Sequence, residues 1–266
     1  LHVHTEYSLL DGSAKIKELA KRARELGMDH IAITDHGAMY GIIDFYKACK
    51  EEGVKPVIGC EAYVADGSRF DKEGSRNAQY YHLVLLAENE EGYHNLIKLI
   101  SLGFIEGFYY KPRVDKEILR KYSKGIICLS ACIAGEVPQY LLNSTYEKAK
   151  EIALEYNDIF GQGNFFLELQ DHGIEEQRRT NPLLIKMSGE TGIPLVATND
   201  SHYIYRKDAK AQDILLCIQT LKTVDDEDRM KFDGNQFYLK SPEEMYSLFK
   251  GQEQALRNTY DIGERC

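Results

Sequence analysis

Two histidines separated by a single residue open the chain, in Leu1-His2-Val3-His4-Thr5. Side chains on a β-strand alternate faces, so His2 and His4 point one way while Val3 packs the other way. Two imidazoles on one rigid face make half a metal site. Three later stretches end in the same chemistry. His30-Ile31-Ala32-Ile33-Thr34 runs into Asp35-His36, Pro56-Val57-Ile58-Gly59-Cys60 into Glu61, and Pro194-Leu195-Val196-Ala197-Thr198-Asn199 into Asp200-Ser201-His202. Each is a short apolar, β-branched run closed by an imidazole or a carboxylate. Functional side chains of an α/β barrel collect at the carboxyl ends of its strands, so four such endings predict one convergent site for divalent cations.

The elements that must carry these residues follow from hydrophobic periodicity. Strands are expected at 1–5, 30–34, 55–64, 81–86, 125–132, 164–170 and 195–198, with helices at 13–26, 41–52, 91–102, 146–160 and 181–192. With no eighth strand, residues 1–208 are expected to form a distorted seven-stranded (β/α) barrel. Residues 209–266 then read as a mainly helical docking extension, with a helix at 209–220, an acidic run Asp225 to Asp228, and a second helix opened by Ser241-Pro242. The polar, aperiodic stretch 66–79 is expected to be a loop on the site side, offering Arg69, Lys72 and Arg76 to a phosphate. Lys111 and Arg113, in Tyr109-Tyr110-Lys111-Pro112-Arg113, are a second basic candidate, with aromatics alongside.

Several residues stay ambiguous on spacing alone. Asp11 can fold back over the opening strand or serve as a turn or helix-cap aspartate. Cys132 closes its strand as a metal-ligating thiolate or an inert thiol. His82 comes early in its strand, where the strand-end rule does not select it; His30 starts its strand at the far end from the site; His172 reads as loop material.

Composition narrows the function. The 266 residues are 43% hydrophobic, enough for a large core, and carry a net charge of −9, the wrong sign for holding nucleic acid through a bulk field. A polyanion must be attracted locally, where bound cations reverse the sign. There is neither an apolar run of about 18 residues nor a basic-apolar leader, which predicts a cytoplasmic protein with no membrane association. The six cysteines form no CxxC pair and are expected to be reduced. The abrupt opening inside a strand suggests native residues ahead of Leu1.

His2-x-His4, Thr34-Asp35-His36-Gly37, Gly59-x-Glu61 and Asn199-Asp200-Ser201-His202 resemble the motifs of the PHP (polymerase and histidinol phosphatase) superfamily. Tyr7-Ser8-Leu9-Leu10-Asp11-Gly12, Lys111-Pro112-Arg113-Val114-Asp115, Asp213-Ile214-Leu215-Leu216-Cys217-Ile218 and Tyr238-Leu239-Lys240-Ser241 are similar to the amino-terminal PHP domain of bacterial DNA polymerase III alpha subunits of the DnaE type. The resemblance implies nine metal ligands: His2, His4, Asp11, His36, Glu61, His82, Cys132, Asp200 and His202. It implies two or three divalent ions, with Glu61 bridging and Glu61, Asp200 and His36 central to catalysis. Zinc, manganese or iron suits this donor set better than magnesium. The implied reaction is 3′-5′ exonucleolytic hydrolysis at DNA ends, in the service of proofreading. The implied partners are polymerase domains of a longer chain and other replisome subunits, and no polymerase site is expected within these residues. The competing expectations are a phosphomonoesterase of the histidinol phosphatase type, an amidohydrolase-type barrel acting on carbon–nitrogen bonds, and a non-catalytic scaffold.

Overall fold

A computed structural model describes residues 1–72 and 80–266. Its first elements alternate as the periodicity requires: α1 (Ile16–Glu25), β1 (His30–Ile33), α2 (Ile42–Glu52) and β2 (Lys55–Ala65). Helix α1 buries Ile16, Leu19, Ala20 and Ala23, one apolar stripe at helical spacing. Helix α2 ends at Gly53 in the left-handed conformation that glycine adopts without cost. Then come β3 (Tyr80–Ala87), α3 (Glu90–Ile105), β4 (Arg113–Val114), α4 (Lys116–Lys121), β5 (Ile126–Leu129), α5 (Glu136–Asn143) and α6 (Tyr146–Phe160). The remainder is β6 (Phe165–Leu169), α7 (Glu175–Thr191), β7 (Leu195–Ala197), α8 (Ala209–Thr220), α9 (Pro242–Leu248) and α10 (Glu253–Arg265). Side-chain caps start α3, α4 and α6 at Asn89, Asp115 and Thr145, and a Ser241–Glu244 capping box starts α9.

The strands form one curled, mixed sheet in the order β1-β2-β3-β5-β6-β7, with β4 paired to β2 at the side. The membership differs from the sequence expectation in two places. The opening segment joins through single bridges rather than a ladder, whereas Arg113–Val114, expected as loop, pairs in parallel with Tyr63–Val64. The direction of one strand differs as well: β3 runs antiparallel to both β2 and β5. Helix α7 begins at Glu175, six residues before the expected Asn181, and continues through Pro182, whose missing N–H removes one ladder bond without ending the helix.

Closure of the curl relies on two different devices. At the site end, the opening segment lies between the ends of β1 and β7: His4 N–H donates to Ser201 O (2.8 Å), Ser201 N–H to His2 O (3.0 Å) and Thr34 N–H to Val3 O (2.9 Å). At the other end, α10 fills the gap. Asn258 and Thr259 donate side-chain hydrogen bonds to the β7 carbonyls of Leu195 and Ala197, both at 2.7 Å, and so satisfy a strand edge that lacks a neighbour. Gly263 permits the approach on the β1 side, where a Cβ would sit 2.8 Å from the His30 ring. Helix α10 therefore packs onto the sheet and completes its closure. Among the described residues no helix is long and apolar enough to cross a membrane.

Candidate metal centre

The opening segment delivers His2 and His4, which are almost fully buried. The loop behind it carries Asp11 back over their strand. This return requires Gly12, since a Cβ there would lie 2.2 Å from the Thr5 carbonyl oxygen. His36 follows β1, and Glu61 lies within β2, which outruns its neighbour. Cys132 and Asp200 follow β5 and β7 across kinks: Ala131 (φ 63°) and Asp200 itself (φ 47°) adopt the left-handed conformation, which non-glycine residues seldom hold outside sites where the surroundings enforce it. His82 comes from the start of β3. Because β3 is antiparallel, its amino end sits beside the far end of β2, with His82 opposite Tyr63 in register. The strand-end rule passed over His82 because it assumed parallel strands.

Glu61 is the hub. Its Oε1 lies 3.1 Å from His2 Nε2 and 3.0 Å from His82 Nδ1, and its Oε2 lies 2.7 Å from His36 Nδ1 and 3.5 Å from His4 Nε2. Asp200 Oδ1 faces His4 Nε2 at 3.1 Å and His2 Nε2 at 3.3 Å. Asp11 Oδ2 lies 2.6 Å from His36 Nε2 and 3.4 Å from His202 Nε2. Cys132 Sγ is 3.9 Å from both Glu61 Oε1 and His82 Nδ1. All nine residues that the motif resemblance points to thus come together in one cluster.

Five of the inward atoms, His2 Nε2, His4 Nε2, His36 Nδ1, Glu61 Oε2 and Asp200 Oδ1, are buried without a hydrogen-bond partner. Their short contacts with one another are not aligned as hydrogen bonds. Buried polar atoms are nearly always paired, so five orphans gathered around Glu61 need a species that accepts lone pairs. Their donors group into three sets, each within 4.8 Å: His4, His36 and His202; His2, His4 and Asp200; His36, Glu61 and His82. Nitrogen, carboxylate and one sulfur donor fit divalent transition ions.

Outer contacts orient the imidazoles for that task. His202 Nδ1 lies 2.9 Å from the Asp200 carbonyl, to which its N–H donates. His4 Nδ1–H donates to Ser8 Oγ (3.1 Å), whose hydroxyl donates to Asp35 (2.8 Å), and His2 Nδ1–H donates to Glu168 (2.8 Å). Each of these bonds leaves Nε2 as the lone-pair nitrogen, the usual role of outer partners in metal sites. Sequence reasoning missed Glu168. It sits in the middle of β6, fully buried, and also accepts hydrogen bonds from Gln170 (2.9 Å) and Thr198. The available signal was a lone carboxylate in the apolar run Phe165–Leu169. Asp35, next to a ligand in sequence, is no ligand itself: it accepts from Thr5 N–H (2.6 Å), Thr5 Oγ1 (2.8 Å) and Ser8, and pins the His4 segment.

Electrostatics among the side chains follow from this crowding. Burial pulls the His36 imidazole down, but the Glu61 and Asp11 carboxylates outweigh it and push it up to about 10. Burial, with His36 and His202 beside it, pulls His4 down to about 3. Burial favours a neutral Glu61, yet His82, His2 and His36 hold it well below the usual carboxylate range. Burial and the Glu61 and Asp200 carboxylates push the Cys132 thiol up, so only a bound cation makes it a thiolate ligand at neutral pH.

The basic candidates divide. Lys111 lines a 190 Å³ cavity together with Asp11, His36 and Tyr63, its Nζ 5.0 Å from the Tyr63 ring centroid. Arg113, expected as a solvated phosphate contact, is instead buried: its guanidinium donates to the carbonyls of Gly107 (3.2 Å), Arg69 (3.3 Å) and Asp71 (2.7 Å) and so holds the loop. Arg69 is also buried, bonded to Asp115, Glu106 and Glu117. Lys72 is exposed, and Arg76 lies outside the described residues. His172 is no exposed loop residue: it is buried, stacked 3.8 Å from Phe237, and hydrogen-bonded to Asn199 O and Gln177. His30 sits at the opposite end, 2.8 Å from Glu264.

A family model described as "PHP domain" matches residues 1–172. Over its whole length the chain is 52% identical to the DNA polymerase III subunit alpha of Borreliella burgdorferi and 50% identical to that of Treponema pallidum, covering 23% of each relative. It is 43% identical to that of Thermus aquaticus, covering 22%. The chain thus spans less than a quarter of the length of these relatives. With the family model matching well over half of its residues, the chain belongs to the PHP domain family.

Proposed function

We propose that this chain is the PHP portion of a replicative DNA polymerase III alpha subunit, working in the cytoplasm, and that its centre hydrolyses the phosphodiester at a DNA 3′ end as a 3′-5′ exonuclease. The five buried, unpartnered donor atoms around Glu61 carry this reading. His2, His4, Asp11, His36, Glu61, His82, Cys132, Asp200 and His202 would hold two or three divalent ions, of zinc, manganese or iron, with Glu61 at the hub of the donors. When bound, such ions would supply Lewis-acid activation of a phosphoryl group and of the attacking water. The chain's own groups do the rest. Lys111, on the cavity wall shared with Asp11 and His36, binds a phosphate oxygen, and the Tyr63 ring beneath it keeps its amine at that wall. Glu168, Ser8 and Asp35 fix the imidazoles so that the donors do not reorganise as charge develops. Polymerase domains of the same polypeptide and other replisome subunits are the partners that deliver the end.

The −9 charge gives no general hold on duplex, so an unpaired end has the advantage; a paired terminus must first be unstacked at a cost of a few kcal/mol. The test compares manganese- or zinc-supplemented cleavage of single-stranded, mismatched and paired 3′ ends with release of phosphate from histidinol phosphate. Faster trimming of unpaired ends is expected. Faster turnover of the monoester would move the chain to the phosphatase reading, and no turnover at full metal occupancy would favour the scaffold reading.

A further inference from the structure

The cavity at the metal centre does not end at its ligands. Tyr40 and Phe104 form its outer wall, and the same two rings also line a second, open cavity of 490 Å³ between α2 and α3. The two cavities are neighbours that share these two rings. The rings are 61% and 37% exposed, their centroids 6.3 Å apart. Phe108, half exposed, continues the row at a further 6.3 Å from Phe104 with nearly parallel planes. At the inner end, Tyr63 stacks on His36 at 6.0 Å, with the Lys111 amine 5.0 Å from the Tyr63 ring centroid. Unburied aromatic rings in a row serve no core, and an exposed apolar strip of this kind marks a binding surface.

We propose that this strip is the track for unpaired nucleotides behind the reacting 3′ end, whose bases stack on Tyr40, Phe104 and Phe108. The proposal rests on the phosphodiesterase reading and deepens it. Stacking suits this protein because a chain of charge −9 cannot grip a strand by its phosphates, whereas every base presents a face to an aromatic ring. The two rings shared with the cavity that holds Asp11, His36 and Lys111 favour a strand over a protein partner: a base stacked on Tyr40 or Phe104 lies against the cavity of the metal centre. It also gives the site a reason to prefer a polymer end to a small monoester, which is too short to span all three rings.

The test is fluorescence anisotropy of the 266-residue chain with manganese, using a short labelled oligothymidylate whose terminal linkage is a hydrolysis-resistant phosphorothioate, beside an abasic strand of equal length and charge. The wild type should bind the oligothymidylate at least about tenfold more tightly than the abasic strand. Tyr40→Leu/Phe104→Leu should remove most of that preference while leaving abasic binding unchanged, and Phe108→Ser, at a half-exposed position, should remove part of it should the double variant fail to fold. Equal preference in wild type and variants, or none in the wild type, would overturn the proposal. So would substitutions that leave base preference intact and instead weaken docking of this chain to the remainder of the polypeptide. Because binding is read without turnover, an inactive centre leaves this test standing, and turnover without base preference would refute the track alone.

Discussion

The buried charges around Arg69 and those around Glu61 differ in what they leave over. Around Arg69, Asp115 and Arg113 the contacts close on themselves. Arg69 Nη1 bonds both oxygens of Asp115 (3.1 and 3.0 Å), its Nε bonds Glu106 (2.7 Å), its backbone N–H donates to Asp115 (2.9 Å), and Arg113 holds three carbonyls. No buried side-chain atom of these three residues lacks a partner. Around Glu61 the chain buries an even denser set of ionisable groups and leaves five donor atoms unpaired. Buried charge therefore does not by itself mark a working site: a satisfied cluster is structure, and an unsatisfied, convergent one is a place for something else to bind.

Substitutions should separate the two. The largest effect is expected from Glu61→Gln, which should lower hydrolysis by more than about a hundredfold, beyond what loss of an outer partner costs, with the fold retained. Steady-state rates beside a circular-dichroism melt measure both, and an unchanged rate would remove Glu61 from the chemistry. Asp115→Ala should do the reverse: about 2–4 kcal/mol of stability lost in urea unfolding, because Arg69 loses its buried partner and keeps only the more exposed Glu106 and Glu117, and α4 loses its N-cap, with metal binding per folded molecule unaffected. A loss below about 1 kcal/mol would show that the knot is as replaceable as a surface pair.

His172 refines the contrast as a buried but fully partnered imidazole. Burial, reinforced by Lys240 and His202, lowers it to about 4 from an ordinary 6.5. Below pH 6.5 the unfolded chain takes up a proton that the folded one refuses, so this residue's contribution is intact above 6.5 and is lost as pH falls toward 4, roughly 3 kcal/mol in all. His172→Gln should flatten that part of the stability profile between pH 6.5 and 4; an unchanged slope there would refute the assignment. The smallest effect is expected from Glu168→Gln, which keeps the shape but weakens the acceptor for His2 Nδ1–H: metal affinity should fall about tenfold, as followed by competition with a chromogenic chelator. No change in affinity would make Glu168 a core residue only.

The sequence was most informative where chemistry coincides with a strand end. His36, Asp200 and His202 follow apolar runs, Glu61 closes one, and the structure gathers all four. It was silent where the signal depends on another chain segment. His82 comes early in its strand and reaches the centre only because β3 is reversed, a topological fact that no local pattern carries. Glu168 lies in the middle of β6, its meaning set by a histidine 166 residues away. Arg113 looked like a phosphate clamp because arginine in an aromatic, polar stretch is usually solvated; three nearby carbonyls and a two-residue strand bury it instead. Helix α10 has apolar periodicity, but its task of covering the gap between β7 and β1 exists only once the sheet has curled.

The central claim is that the orphaned donors around Glu61 are metal ligands. Its most direct test is elemental analysis of the chain purified without chelator, followed by manganese and zinc titration by calorimetry. At least two transition ions per chain are expected, with tight binding that falls to at most one ion in Glu61→Gln. Protein that carries no metal and takes up none on titration would contradict both the site and the function proposed for it.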